Sequence, residues 1–328
     1  MNGQNLALVL QAVLAIALGS GGIIALFYGL NILVERTLPR PAGNRVLPWI
    51  YMGPSLLLLV AYLIFPTLQT IYISFFSKDS SEFVGFKNYA FAFTDPGMLT
   101  AFRNNLLWLV LVTGISVGLG LIIAVLVDRV RYESAAKSLI FLPMAISFVG
   151  ASVIWRFMYA FKPAGTEQIG LLNAVAVFLG FEPVAWLVDR SINNFSLIAI
   201  MIWLQTGFCM VLLSSAVKGV PKDVIEAARV DGASEFQIFR RIIVPMIMPT
   251  VTVVATTVVV LVLKVFDIVF VMTGGNLDTD VIASRMVKEM FNFRNFGRGS
   301  AIAVILLIAV IPIMVANIRR FRQQELDR

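Results

Sequence analysis

Seven apolar stretches, each long enough to cross a bilayer as a helix, recur along the 328 residues of this chain. They run from about Leu6 to Val34, Trp49 to Phe76, Leu106 to Val127, Ser138 to Tyr159, Phe195 to Val217, Met246 to Met272 and Gly299 to Ile318. About 20 apolar residues suffice for one helical crossing. Helices answer every backbone N–H and C=O within the segment, which lipid requires. Hydrophobic residues make up 59% of the chain and charged ones only 14%, against about 25% charged in a soluble domain. The expected fold is therefore an all-α polytopic membrane protein with about seven transmembrane helices.

The first stretch lacks a preceding basic residue, so it is a poor signal peptide. Its cluster Gly19-Ser20-Gly21-Gly22 suits a kink or a close helix contact. Pro54 and Pro66 are expected to kink the second stretch.

The most polar segment lies between the fifth and sixth stretches, from Pro221 to Pro249. Pro221 suits a first helical position, where its missing N–H costs nothing. Asp223 and Glu226 place negative charge near the positive end of that helix. Gly232 suits the left-handed position that ends a helix, and Ser234 with Gln237 reads as a capping box opening another. Two short helices joined by a glycine elbow are expected, the second feeding the sixth span.

The basic residues give an orientation. With Arg36 in the cytoplasm and the spans alternating, fifteen basic residues fall on the cytoplasmic side and nine on the other, while Arg156 and Lys264 lie within spans. Nine acidic residues fall on each side, so they do not explain the bias. The positive-inside rule then places the N-terminus outside, and the C-terminus and the Glu226 segment in the cytoplasm. The excess of basic residues is thereby assigned to membrane orientation rather than to nucleic acid.

Enzyme chemistry finds little support. The chain has no His and a single cysteine, Cys209, which argues against a His/Cys metal site and excludes a Ser/His/Asp triad. No Gly-rich phosphate loop ending in Gly-Lys-Ser or Gly-Lys-Thr occurs. Polar residues inside spans are costly and therefore informative. Lys264 and Asp267 are three apart and are expected to share a helix face, where they neutralise each other. Phe266 and Phe270 lie beside them, and aromatic rings next to polar groups suit sugars. Gln205, Thr206 and Gly207 interrupt the fifth span, and Ser147 and Ser152 the fourth. Gly207 reads either as a ligand contact or as a close packing point.

The string Glu226-Ala227-Ala228, Asp231-Gly232-Ala233, then Ile242 and Pro245, resembles the EAA loop of ABC-importer permeases. Phe83-Val84-Gly85-Phe86-Lys87-Asn88-Tyr89, Gly170-Leu171-Leu172-Asn173, Ala185-Trp186-Leu187 and Thr273-Gly274-Gly275 resemble the carbohydrate (maltose-type) branch, and within it the α-glucoside and glucosylglycerol permeases. The likeness covers roughly Trp49 to the C-terminus. It implies a type I ABC-importer fold, with an extra N-terminal helix and cytoplasmic linker over 1–47 and a transmembrane domain over 48–328. It makes 218–246 a cytoplasmic coupling loop, with Glu226, Ala227, Ala228, Asp231, Gly232 and Ala233 engaging an ATPase. It puts the substrate path along the fourth to sixth spans, with Ser147, Ser152, Gln205, Thr206, Gly207, Lys264, Phe266 and Asp267 as candidates. It implies a non-catalytic permease in the bacterial inner membrane, partnered by a second permease, two ATPases that bind ATP and Mg, and an external sugar-binding protein. The chain departs from the maltose permease in having no large periplasmic insertion. The rivals are a glycerol-phosphate or other small-solute ABC permease, and an ion-coupled secondary transporter, which calls for inverted repeats and a midplane carboxylate.

Overall fold

A computed structural model describes residues 3–128 and 130–326, with side chains over 10–128 and 130–319. Arg129, Arg320, Arg322 and Arg328, which enter the charge count, lie outside those described side chains. By internal contacts the chain divides into Met1–Gln69 and Thr70–Arg328.

In the first unit, α1 (Gly3–Thr37) runs unbroken through the Gly19–Gly22 cluster. The Arg-rich linker expected after it is itself helical, because Pro39 caps α2 (Arg40–Leu59). Phe27 of α1 stacks on Tyr51 of α2 at 5.5 Å. Pro54 sits inside α2, whereas Pro66 is preceded by a π-helical turn at Val60–Ile64. Proline lacks an N–H and clashes with the carbonyl four residues back, and a widened turn accommodates both defects.

α3 (Phe65–Ile73) leads into the second unit. There α4 (Lys87–Thr94) precedes α5 (Pro96–Val127), whose N-cap Asp95 accepts from the Met98 N–H. α5 packs along α9 (Asn193–Lys218), and α12 (Val244–Leu263) packs on both. The core between them holds Trp108, Val112, Met201, Leu204, Met210, Val254 and Val258. Small residues let the backbones approach: a Cβ at Gly120 would lie 2.6 Å from that of Cys209.

Six helices among the described residues are long and apolar enough to cross a membrane. The fourth expected span is different. It is broken into α6 (Glu133–Phe141), a 3₁₀ turn at Leu142–Ala145 and α7 (Phe148–Met158), with a bend of 100°. Pro143 tightens the turn, Ile146 is extended, and the Ser147 hydroxyl caps α7 by accepting from the Gly150 N–H at 3.0 Å. The sixth span also breaks. α12 ends at Leu263, and α13 (Asp267–Thr273) starts after the non-helical Phe266. Lys264 and Asp267 therefore do not share a helix, and no ion pair joins them among the described residues. Asp267 instead opens α13, where a carboxylate faces the positive end of the peptide dipoles.

Asparagines fasten the segment after α13. Asn104 donates to the Asp278 and Asp280 carbonyls at 2.7 and 2.8 Å, Asn105 accepts from the Ile282 N–H, and Asn193 donates to the Leu277 carbonyl. In the following α14 (Ile282–Val287), Arg285 pairs with Asp95 at 3.3 Å and with the buried Glu289 at 3.1 Å. Burial pushes the Glu289 carboxyl above its usual range, and the charges of Arg285 and Arg298 offset this only in part. α15 (Phe296–Leu326) closes the unit. In the 160–194 segment, Asn173 receives hydrogen bonds from the Val184 N–H and the Trp186 indole, so the two strings that resembled sugar permeases meet there.

Candidate coupling loop and transport cavity

The polar segment after α9 folds as its chemistry dictates. Pro221 is the N-cap rather than the first helical residue of α10 (Lys222–Val230). α10 ends at Val230, and Gly232, just past its Asp231 C-cap, has a φ of +81°. The Ala233 N–H reaches back to the Ala228 carbonyl and the Gly232 N–H to that of Arg229, both at 3.0 Å, the paired bonds of a Schellman stop. Ser234 and Gln237 form the expected capping box on α11 (Glu235–Ile238). Arg229 of α10 pairs with Glu235 of α11 at 2.9 Å, bracing the elbow. A second π-turn, Phe239–Ile243, joins α11 to α12 ahead of Pro245.

The loop is rooted in the membrane helices by a small apolar core. Val220, Ile238, Ile243 and Ile247 are buried there, with Ile225, Ala228 and Ala233 packed on them beside Leu121, Ala216 and Val217. Ala228 and Ala233 thus face inward, while Glu226, Ala227, Asp231 and Gly232 are exposed. Val230 is 87% exposed and Phe236 68%. Both are apolar residues facing outward in a polar segment, a signal visible in the sequence that pattern reasoning missed.

The breaks at Ser147 and Lys264 open space in the helix layer. A cavity of about 490 Å³ is lined by Met144, Ser147, Phe148, Gln205, Phe208 and Asp267, among others. A second, of about 260 Å³, is lined by residues including Phe148, Met201, Lys264, Phe266 and Asp267. Of the eight candidate path residues, five line one cavity or the other. Gln205 is only 5% exposed, and its amide makes no hydrogen bond among the described residues. The amide is not one of the enclosed polar groups left unpaired among the described residues; it opens onto the cavity, where it is available to a guest.

The other three candidates sit elsewhere. The Ser152 hydroxyl donates to the Phe148 carbonyl and the Thr206 hydroxyl to that of Ile202, each within its own helix. Gly207 is a packing point: a Cβ there would lie 2.4 Å from the Ile140 carbonyl oxygen.

Residues 96–324 match the family described as binding-protein-dependent transport system inner membrane component. The chain belongs to that family. It is a multi-pass inner-membrane permease. It is 74% identical over 275 residues to the osmoprotective compounds uptake permease protein GgtC of Synechocystis sp., covering 84% of this chain and 99% of the relative. It is 45% identical over 324 residues to the alpha-glucoside transport system permease protein AglF of Rhizobium meliloti, covering 95% and 96%. A bacterial ABC transporter chain involved in alginate import shares the fold, at a TM-score of 0.73 and 21% identity over 85% of this permease and 96% of that chain.

In this permease the family match covers both α10 with its elbow and the two cavities. Phe148, Phe208 and Met144 are lining residues that sequence reading did not single out. Their apolar surroundings hid them, since Met144 and Phe148 flank the helix break and Phe208 lines the space from the unbroken α9.

Proposed function

We propose that this permease is one transmembrane half of a type I ABC importer for a glucoside or small oligosaccharide, with its N-terminus outside and its C-terminus in the cytoplasm. Residues 1–47 form an appendage to the transport domain at 48–328. The observation that carries the substrate reading is the unpartnered Gln205 amide facing a cavity walled by Phe148 and Phe208, with Asp267 at its edge. Sugar rings present C–H faces that stack on aromatics and hydroxyls that need donors and acceptors. Among the described residues the larger cavity has no Lys or Arg in its lining and the smaller has only Lys264, in a wall that also holds Asp267, which argues against an anionic substrate such as a glycerol phosphate. The names of the two relatives, one for osmoprotective compounds and one for α-glucosides, point the same way.

Energy enters from outside the chain. Two cytoplasmic ATPases, holding ATP and Mg, engage Glu226, Ala227 and Asp231 on α10. Their closure pushes the Gly232 elbow, and the apolar core under it carries the displacement to the feet of α5, α9 and α12. A second permease completes the path, and an external binding protein delivers the sugar. By linkage, delivery of sugar favours ATPase closure as much as closure alters the sugar site.

The test is reconstitution of the assembled transporter in proteoliposomes with labelled solutes. ATP-dependent, saturable uptake of a neutral glucoside is expected. Uptake of glycerol phosphate, with none of any glucoside tested, would overturn the substrate reading.

A further inference from the structure

A charged cluster lies where α5, α6 and α9 meet, at the end of α9 from which the chain leads into α10. Lys137 of α6 donates to Asp128, the C-cap of α5, to Glu133 one turn back in α6, and to the Ser214 hydroxyl of α9. A lysine ammonium has three donors, and here each meets an acceptor. Ser214 in turn donates to Asp128 at 2.7 Å. Glu133 also accepts from Lys218, the last residue of α9. The Lys137 and Asp128 side chains are only 18% and 13% exposed. Charge-assisted bonds are directional, so they hold register where apolar contacts would slide.

The two ends of this cluster lead to different places. α9 ends at Lys218 and continues through Val220 and Pro221 into α10. α6 continues through its 3₁₀ turn to Ile146 and Ser147 in the cavity wall. Two turns above Ser214, Gly207 seats α6 against α9 through the Ile140 and Phe141 backbone. α6 and α9 are therefore clamped at two heights, and the coupling loop hangs from one while the cavity wall hangs from the other.

We propose that Lys137 is a positioning residue that locks α6 to α9, so that displacement of the coupling loop moves the Leu142–Ser147 turn at the cavity. This rests on the coupling role argued above for α10. Without the Lys137 bonds only the more exposed Glu133–Lys218 pair holds α6 to α9 at this height, so α9 follows the ATPase and the α6 turn lags behind.

The test uses the full transporter with its partners. Spin labels at Lys222→Cys and Leu142→Cys report the distance from α10 to the turn, and the native Cys209, fully buried, stays unlabelled. With Lys137 in place this distance is expected to stay the same with and without ATP. In Lys137→Met it changes with ATP, and uptake per ATP hydrolysed falls about tenfold, within the usual range for coupling between sites. Lys137→Arg, which can still reach both carboxylates, restores both readouts. If Lys137→Met does not assemble, Ser214→Ala serves instead, since it removes the Ser214 bonds to Lys137 and Asp128 and keeps the ion pairs. A distance unmoved by ATP in these variants, with uptake per ATP normal, overturns the proposal. Gly232→Leu measured alongside separates the two ideas: if it also transports normally, the coupling role of the loop fails, and the proposal with it.

Discussion

The carbonyl oxygen of Ile140 occupies the space that a side chain at Gly207 would need, 2.4 Å from an ideal Cβ. The Phe141 Cα lies 2.8 Å from the same point. Both obstacles are backbone, so neither can rotate away. Gly207→Ala must push α6 off α9, and overpacking of this kind costs about 1–3 kcal/mol. A lower melting temperature in detergent is expected, with loss of transport following from the displaced α6. An unchanged melting temperature would show that α6 shifts freely, and the clamp described above would lose its upper contact.

Gly232 presents the opposite case. A Cβ there meets nothing within 4 Å, but the backbone has φ +81°. Gly232→Leu is therefore expected to cost about 1–2 kcal/mol locally, the penalty for a left-handed L-residue, while leaving the membrane helices folded. ATP hydrolysis should continue while uptake falls. Normal uptake at normal abundance would count against the elbow as the coupling point.

Gln205→Leu separates binding from folding. The amide opens onto the cavity and makes no hydrogen bond to the described residues, so an apolar replacement of similar size removes no internal bond and is neutral or stabilising for the fold. The expected outcome is an equal or higher melting temperature together with weaker uptake. Reduced stability would mean the amide has a structural partner after all.

Asp267→Asn probes the cavity rim. Asp267 lines both cavities and opens α13. The amide loses the favourable interaction of a carboxylate with the helix N-terminus, worth about 0.3–1 kcal/mol. A change in the apparent affinity for sugar larger than the change in stability is expected. Unchanged uptake with lower stability would confine Asp267 to its helix-opening role.

The buried Glu289 gives a pH dependence with a definite sign. Its carboxyl is raised above 4.5 in the folded state by burial. The protonated form is thus favoured by folding, and its stabilising contribution is lost as pH rises through the folded value. Compared with Glu289→Gln, the native chain should gain thermal stability as pH falls from neutral toward 4.5. A native chain that loses stability relative to Glu289→Gln as pH falls over this window would reverse the assignment and put the Arg285 ion pair in control.

The polar loop between α9 and α12 was the most legible part of this permease. Proline, a capping box and a helix-ending glycine act locally, over a few residues, so their meaning survives without tertiary context. The long spans were legible for a similar reason, since uninterrupted apolar length is itself the signal. The breaks at Ser147 and Lys264 were not, because apolar composition runs straight through both. Pro143 and the Ser147 cap hinted at the first, and Asp267 at the second was read as a partner of Lys264. The Lys137 cluster was hidden by distance, as Lys137 and Ser214 are 77 positions apart. The asparagines at the ends of α5 and α9 lie just outside the apolar stretches and carry no local signal, although their side chains fasten a segment more than 80 positions away.

The π-turn at Phe239–Ile243 has a consequence for register. Such a turn carries one residue more than the α-helix around it, and one residue in an α-helix corresponds to about 100° of rotation. Deleting any one residue between Phe239 and Ile243 would let the turn relax toward α-helix and rotate α11 around the axis of α12 by about that angle. Ile238 would then leave the apolar core it shares with Val220, Ile243 and Ile247, while α10 stays tethered to α9 through Val220 and Pro221. A one-residue deletion there is thus a phase error: the spans keep their apolar length, but the two short helices can no longer sit on the core beneath them.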